Sequence, residues 1–155
     1  MALHYFDTSA LAKGYLLEKG SRWVHMLMRT EAVGLSQLVV PEMASVLARR
    51  VRGGELSSIQ GGSVFAQFLE DAKTYIVLQV SQSITEQAAH LLLSAATLPL
   101  RALDAIHLAT AQACFRQASR QGESTGALVA ADRRLLDAAR WAGLPVLNPE
   151  DQAEP

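Results

Sequence analysis

Residues 127–147 read ALVAADRRLLDAARWAGLPVL. Ala127 to Ala131 is a short apolar run that ends at Asp132. From Arg133 to about Ala142 the apolar residues recur at helical spacing, with the arginines between them. Leu144-Pro145-Val146-Leu147 is a second apolar run. The order is strand, helix, strand, and the strands are apolar on both faces. Two strands joined by a helix lie parallel, and a parallel sheet buried on both faces needs helices above and below it.

The rest of the chain repeats the unit. Ala2 to Phe6 reads as a buried strand ending at Asp7. From Thr8 to about Thr30 the spacing is helical, with a break at Gly20. Ala32 to Leu35 suggests a strand, and a helix follows over about 38–52, with Pro41 in its first turn and Gly53-Gly54 at its end. Residues 55–73 look helical but interrupted at Gly61-Gly62. Tyr75 to Val80 is the clearest β-like run. Two Ala/Leu-rich helices over 84–96 and 100–118 flank Pro99, and 119–126 is a polar loop. The predicted architecture is α/β: a three-layer α/β/α sandwich around a central parallel sheet. We read residues 1–148 as one domain and 149–155 as a polar, frayed tail.

The 155 residues are 50% hydrophobic and 19% charged. That excludes general disorder. A chain of this length buries about 70% of its unfolded surface, enough for one sizeable core. One cysteine, Cys114, excludes an internal disulfide framework and a cysteine-based zinc site. There is no leader-like opening and no apolar run of about 18 residues, so the expected place is the cytoplasm, away from any membrane. Net charge is −1, yet residues 1–148 hold 14 basic and 12 acidic side chains. Eleven of the 14 basic residues are arginine, which suits phosphate recognition; a codon bias toward arginine is the plain alternative.

Phosphate-loop, dinucleotide, zinc-protease and serine-hydrolase motifs are absent, and His4, His25, His90 and His107 show no ligand spacing. Four carboxylates in apolar surroundings stand out instead. Asp7 and Asp132 each sit where an apolar strand gives way to a helix. Each fits a helix N-cap; as a pair they also occupy the strand ends where open α/β sheets bind ligands. Asp104 shares a helical face with Leu100, His107, Leu108 and Ala111. A carboxylate there needs a partner, either Arg101 or His107, or a metal ion. Glu42 lies among Leu38, Val39 and Val46, with helix-dipole complementarity as its plain explanation. If the four converge, a divalent cation is needed to hold them ionised together. Oxygen donors alone favour Mg²⁺ or Mn²⁺, ions that act on phosphates.

YFDTSALAKGY (5–15), VVPEMASVLARR (39–50), LRALDAIHLATA (100–111) and residues 127–149 together resemble the PIN-domain family, and more narrowly its VapC-type toxins. The resemblance implies a Rossmann-like α/β/α sandwich and an Mg²⁺- or Mn²⁺-dependent endoribonuclease. It makes Asp7, Glu42 and Asp104 the first three acids of the site. Asp132 falls at a more variable fourth place. Thr8 and Ser9 match the small hydroxyl residues beside the first acid, either supporting the carboxylates or capping the helix. His107 fits a core or supporting place better than a ligand, because Mg²⁺ prefers oxygen. Arg49, Arg50, Arg101 and Arg133 are candidates for RNA phosphate contacts, against the plain reading of solvated helix faces.

The resemblance also implies a small cognate antitoxin protein and, commonly, a homodimer. An antitoxin groove would be lined by Leu16, Leu17, Trp23, Met26 and Leu27, or by Phe65, Phe68 and Leu69; ordinary core packing explains these equally. The rival function is a catalytically inactive PIN-fold module that binds RNA or protein. A phosphatase using Asp7 as nucleophile would need a second aspartate at position 9, which is serine.

Overall fold

The computed structural model describes residues 1–153. Five strands form one sheet: β1 Leu3–Phe6, β2 Ala32–Ser36, β3 Ile76–Leu78, β4 Thr125–Val129 and β5 Val146–Leu147. Their order is β3-β2-β1-β4-β5, and every pairing is parallel. Seven α-helices connect them: α1 Thr8–Leu11, α2 Ser21–Thr30, α3 Val39–Arg52, α4 Ser58–Asp71, α5 Gln82–Ser94, α6 Ala102–Arg120 and α7 Arg133–Trp141.

Side chains alternate across the sheet and split the core in two. Leu3, Tyr5 and Leu128 face α5, α6 and α7, where Ile84, Leu91, Leu108, Leu135 and Leu136 close over them. Phe6, Val33, Leu35 and Val129 face α1 to α4 and pack with Leu11, Val24, Met43, Leu47 and Phe68. The three layers expected from the sequence are present. Phe68, Trp23 and Leu27 belong to the second core, whereas Leu17, Met26 and Leu69 face outward.

Three local readings differ. The strongest β-like run, at 75–80, gives only the three-residue edge strand β3, with Ile76 and Val77 exposed. Propensity is high there, but only one neighbour, β2, pairs with it. Gly61 and Gly62 do not interrupt α4. Ser57 and Gln60 form a reciprocal capping box that starts the helix, and a Cβ on Gly61 would press within 3.0 Å of Val51 in α3. That glycine permits close helix packing. The tail is not frayed where it begins: Asn148 caps a 3-10 turn over Pro149–Asp151, Pro149 is buried, and Glu150 bonds Lys13. Residues 154–155 lie outside the described residues.

Among the described residues, no helix is long and apolar enough to cross a membrane.

Candidate active site

The strand order fixes where a ligand can lie. From β1 the chain moves through β2 to β3 on one side, then returns to place β4 on the other. The crevice beyond the carboxyl ends of β1 and β4 is the topological switch point, where open α/β sheets bind ligands. Asp7 follows β1 and Asp132 follows β4. Both reach the mouth of one cavity of about 700 Å³, which Glu42 and Asp104 also line. The four acids that the sequence singled out therefore converge.

Asp7 caps α1: its Oδ2 accepts hydrogen bonds from Ser9 N at 3.0 Å and Ser9 Oγ at 2.5 Å. Ser9 Oγ in turn accepts from Ala131 N at 2.9 Å and Asp132 N at 3.3 Å. One hydroxyl thus ties the end of β1 to the end of β4. Asp132 caps α7 through Arg134 N at 2.9 Å, and its Oδ2 lies 3.4 Å from the Arg134 side chain. The capping reading and the cavity reading are both realised at Asp7 and Asp132.

Glu42 enters from the first turn of α3. Its Oε2 accepts from Thr8 Oγ1 at 2.5 Å and from His107 Nε2 at 2.8 Å. Burial pushes the Glu42 carboxyl up, but His107 and Thr8 outweigh it and hold it below its ordinary value. Burial pushes His107 down, and Glu42 with Asp7 outweighs that, so its pKa is raised. Asp104 sits in the first turn of α6 and reaches back to accept from Arg101 N at 3.1 Å. Burial raises the Asp104 pKa, Arg101 N lowers it, and the charge of Asp132 raises it again, leaving it above its ordinary value. Such mutual repulsion is what a divalent cation relieves.

The donor set is oxygen-rich and suits Mg²⁺ or Mn²⁺ better than zinc. The carboxylates are occupied by protein donors, and among the described residues no three His, Cys, Asp or Glu already stand together as a ready ligand group. The fit is therefore one of chemistry and place, with side-chain turning required on binding.

The arginines divide. Arg49 and Arg101 line the cavity. Arg50 does not; it is ion-paired with Glu18 and Glu55 and borders a neighbouring hollow. Arg133 is exposed, and Arg134 lines the cavity in its place. Ser45 and Val46 complete the α3 side of the wall. Tyr5, whose hydroxyl holds His107 Nδ1 at 2.8 Å, had no signal in the sequence beyond its place in β1.

The family model described as "PIN domain" matches residues 4–141. The chain belongs to the PIN-domain family. It is 32% identical over 149 residues to Ribonuclease VapC46 of Mycobacterium tuberculosis, covering 96% of this chain and 99% of that protein. The fold is also that of Mycobacterium tuberculosis VapC20, described as a sarcin-ricin loop cleaving toxin. The TM-score is 0.63 at 20% identity, covering 87% of this chain and 94% of that one. A toxin–antitoxin complex from Klebsiella pneumoniae matches with a TM-score of 0.56 at 19% identity, covering 96% of this chain and 98% of that one. The PIN-domain cavity lies at the carboxyl end of the sheet and holds the four acids.

Proposed function

We propose that this PIN-domain protein is a metal-dependent endoribonuclease, the toxin of a toxin–antitoxin pair, acting in the cytoplasm. The convergence of Asp7, Glu42, Asp104 and Asp132 on one cavity at the switch point carries the reading. Likeness to Ribonuclease VapC46 over nearly the whole of both chains supports it.

These four acids are the residues that would hold Mg²⁺ or Mn²⁺, with Thr8 and Ser9 fixing two of the carboxylates. When bound, the ion polarises the scissile phosphate and acidifies water for attack. Arg49, Arg101 and Arg134 supply positive charge around the acids, where an RNA backbone would be positioned without its bases being read. The occupants of Arg50 argue for a strut between Glu18 and Glu55 in place of a phosphate contact. The partner is a small antitoxin, by likeness to a chain of a toxin–antitoxin complex.

One observation favours a second reading, a module that binds RNA without cutting: at least one oxygen of each acid already accepts a hydrogen bond from the protein. One experiment separates the two. Purified antitoxin-free protein is incubated with total RNA in Mg²⁺, Mn²⁺ or EDTA, beside Asp7→Asn and Asp104→Asn. Discrete metal-dependent products, lost in both variants, are expected. RNA binding with no cleavage in either metal would establish the non-cutting module instead.

A further inference from the structure

Glu42 reaches the cavity from α3, yet its carboxylate is held from other elements. Thr8 and His107 both donate to the same oxygen, Oε2. His107 is 2% exposed and lies on α6, one turn beyond Asp104. Its Nδ1 is 2.8 Å from the Tyr5 hydroxyl, and the two rings meet edge to face at 6.1 Å. Tyr5 is fully buried on β1, two residues before Asp7. A hydrogen-bonded chain Tyr5–His107–Glu42–Thr8 therefore runs from the core into the cavity wall, which His107, Glu42 and Thr8 line, and joins β1, α6, α3 and α1. Those elements carry or flank Asp7, Asp104 and Glu42.

The bond from His107 to Glu42 keeps its direction in both charge states of the ring. An ionised carboxylate only accepts, so the hydrogen between His107 and Glu42 is on Nε2. In the neutral ring Nδ1 then accepts from the Tyr5 hydroxyl; in the protonated ring Nδ1 donates to it. Nε2 also lies 3.6 Å from Asp7 Oδ1, too long for a hydrogen bond. Its edge is thus committed to Glu42 while standing between two acids.

We propose that His107 is a positioning residue for Glu42: held by Tyr5, it occupies Oε2 together with Thr8, so that Glu42 offers its other oxygen, Oε1, to a divalent cation. The proposal rests on the metal-dependent nuclease reading. Packing alone does not explain why donors from two different elements, Thr8 and His107, meet on one and the same oxygen of Glu42.

The test uses the full chain as wild type, His107→Leu, His107→Gln and Tyr5→Phe. Mn²⁺ binding is titrated by electron paramagnetic resonance without RNA, melting is followed without metal, and cleavage is measured for kcat and KM. His107→Leu should weaken Mn²⁺ binding by about 10- to 100-fold. It should lower kcat at fixed Mn²⁺ and leave the KM for RNA unchanged. His107→Gln, whose amide nitrogen falls near the place of Nε2, should recover most of the affinity. Tyr5→Phe keeps the ring and should lose part of it. Wild-type Mn²⁺ affinity in His107→Leu overturns the proposal, as does His107→Gln binding no better than His107→Leu. If His107→Leu does not fold, wild-type affinity in both His107→Gln and Tyr5→Phe overturns it. A wild type that binds no Mn²⁺ and cuts no RNA overturns the nuclease reading itself.

Discussion

Asp7→Asn and Asp7→Ala separate the two things Asp7 does. As N-cap of α1 it accepts from Ser9 N and Ser9 Oγ through Oδ2. Asparagine keeps a carbonyl oxygen for that place and caps nearly as well as aspartate, so its stability should move by only a few tenths of a kcal/mol. Alanine removes the cap, about 1 kcal/mol. It also strands the Ser9 hydroxyl hydrogen in a half-buried place, about 1 kcal/mol more. At roughly 2–4 °C per kcal/mol for a domain of this size, Asp7→Ala should melt about 4–8 °C lower and Asp7→Asn within about 1 °C of wild type. Activity should ignore that difference. Both variants lose the carboxylate charge, and cleavage in Mn²⁺ should fall by at least about 100-fold in each. Thermal melts by circular dichroism and initial rates on a labelled RNA read the two effects separately. Cleavage near wild type in Asp7→Asn, with loss only in Asp7→Ala, would reduce Asp7 to a cap and refute its place in the site.

Other parts of the molecule give sharper tests of stability. Asp104 has a folded pKa above its ordinary value of 3.8, so the folded state binds protons more readily and metal-free stability falls as pH rises from about 3.8 through the raised value. Asp104→Asn should therefore melt higher than wild type in EDTA at pH 7 and equal to it at pH 3; an advantage unchanged with pH contradicts this. Lys13 is 4% exposed and bonds Glu150 at 2.8 Å and Glu18 at 3.1 Å. Lys13→Met leaves Glu18 its Arg50 and Glu150 partly in water, so the loss should be about 2 kcal/mol, below that of a fully buried pair. Melting about 4–8 °C lower is expected, and an unchanged melt would show the network contributes nothing. Gly20 has φ +84°, and a Cβ there would come within 2.6 Å of the Pro149 carbonyl oxygen. Gly20→Ala should cost more than about 1 kcal/mol and lower the melting temperature by at least about 2 °C; no change would mean the C-terminal turn is not held there.

Which acids to suspect was legible in the sequence; how they meet was not. Asp7 and Asp132 announce themselves because each ends an apolar run, and Glu42 and Asp104 because each interrupts an apolar helical face. The three layers follow from the same runs. Separations of 35, 62 and 28 residues, however, hold no geometry until the strand order is known. Once β4 stands beside β1, Ser9 Oγ reaches Ala131 N and Asp132 N across more than 120 residues of chain, and no local pattern encodes that bond. That Arg134 and not Arg133 lines the cavity is hidden in the sequence for a related reason. Neighbouring helical residues point about 100° apart, and only the capping geometry of Asp132 shows which one turns to the cavity. His107 marks the boundary between the two kinds of knowledge. Its i+3 spacing from Asp104 put it on the right face, so its nearness to the acids could be read. Its bond to Glu42 spans 65 residues and its bond to Tyr5 spans 102, so its task could be read only from the fold. Local chemistry selects the candidates, and a parallel sheet with a switch point between β1 and β4 turns them into a site.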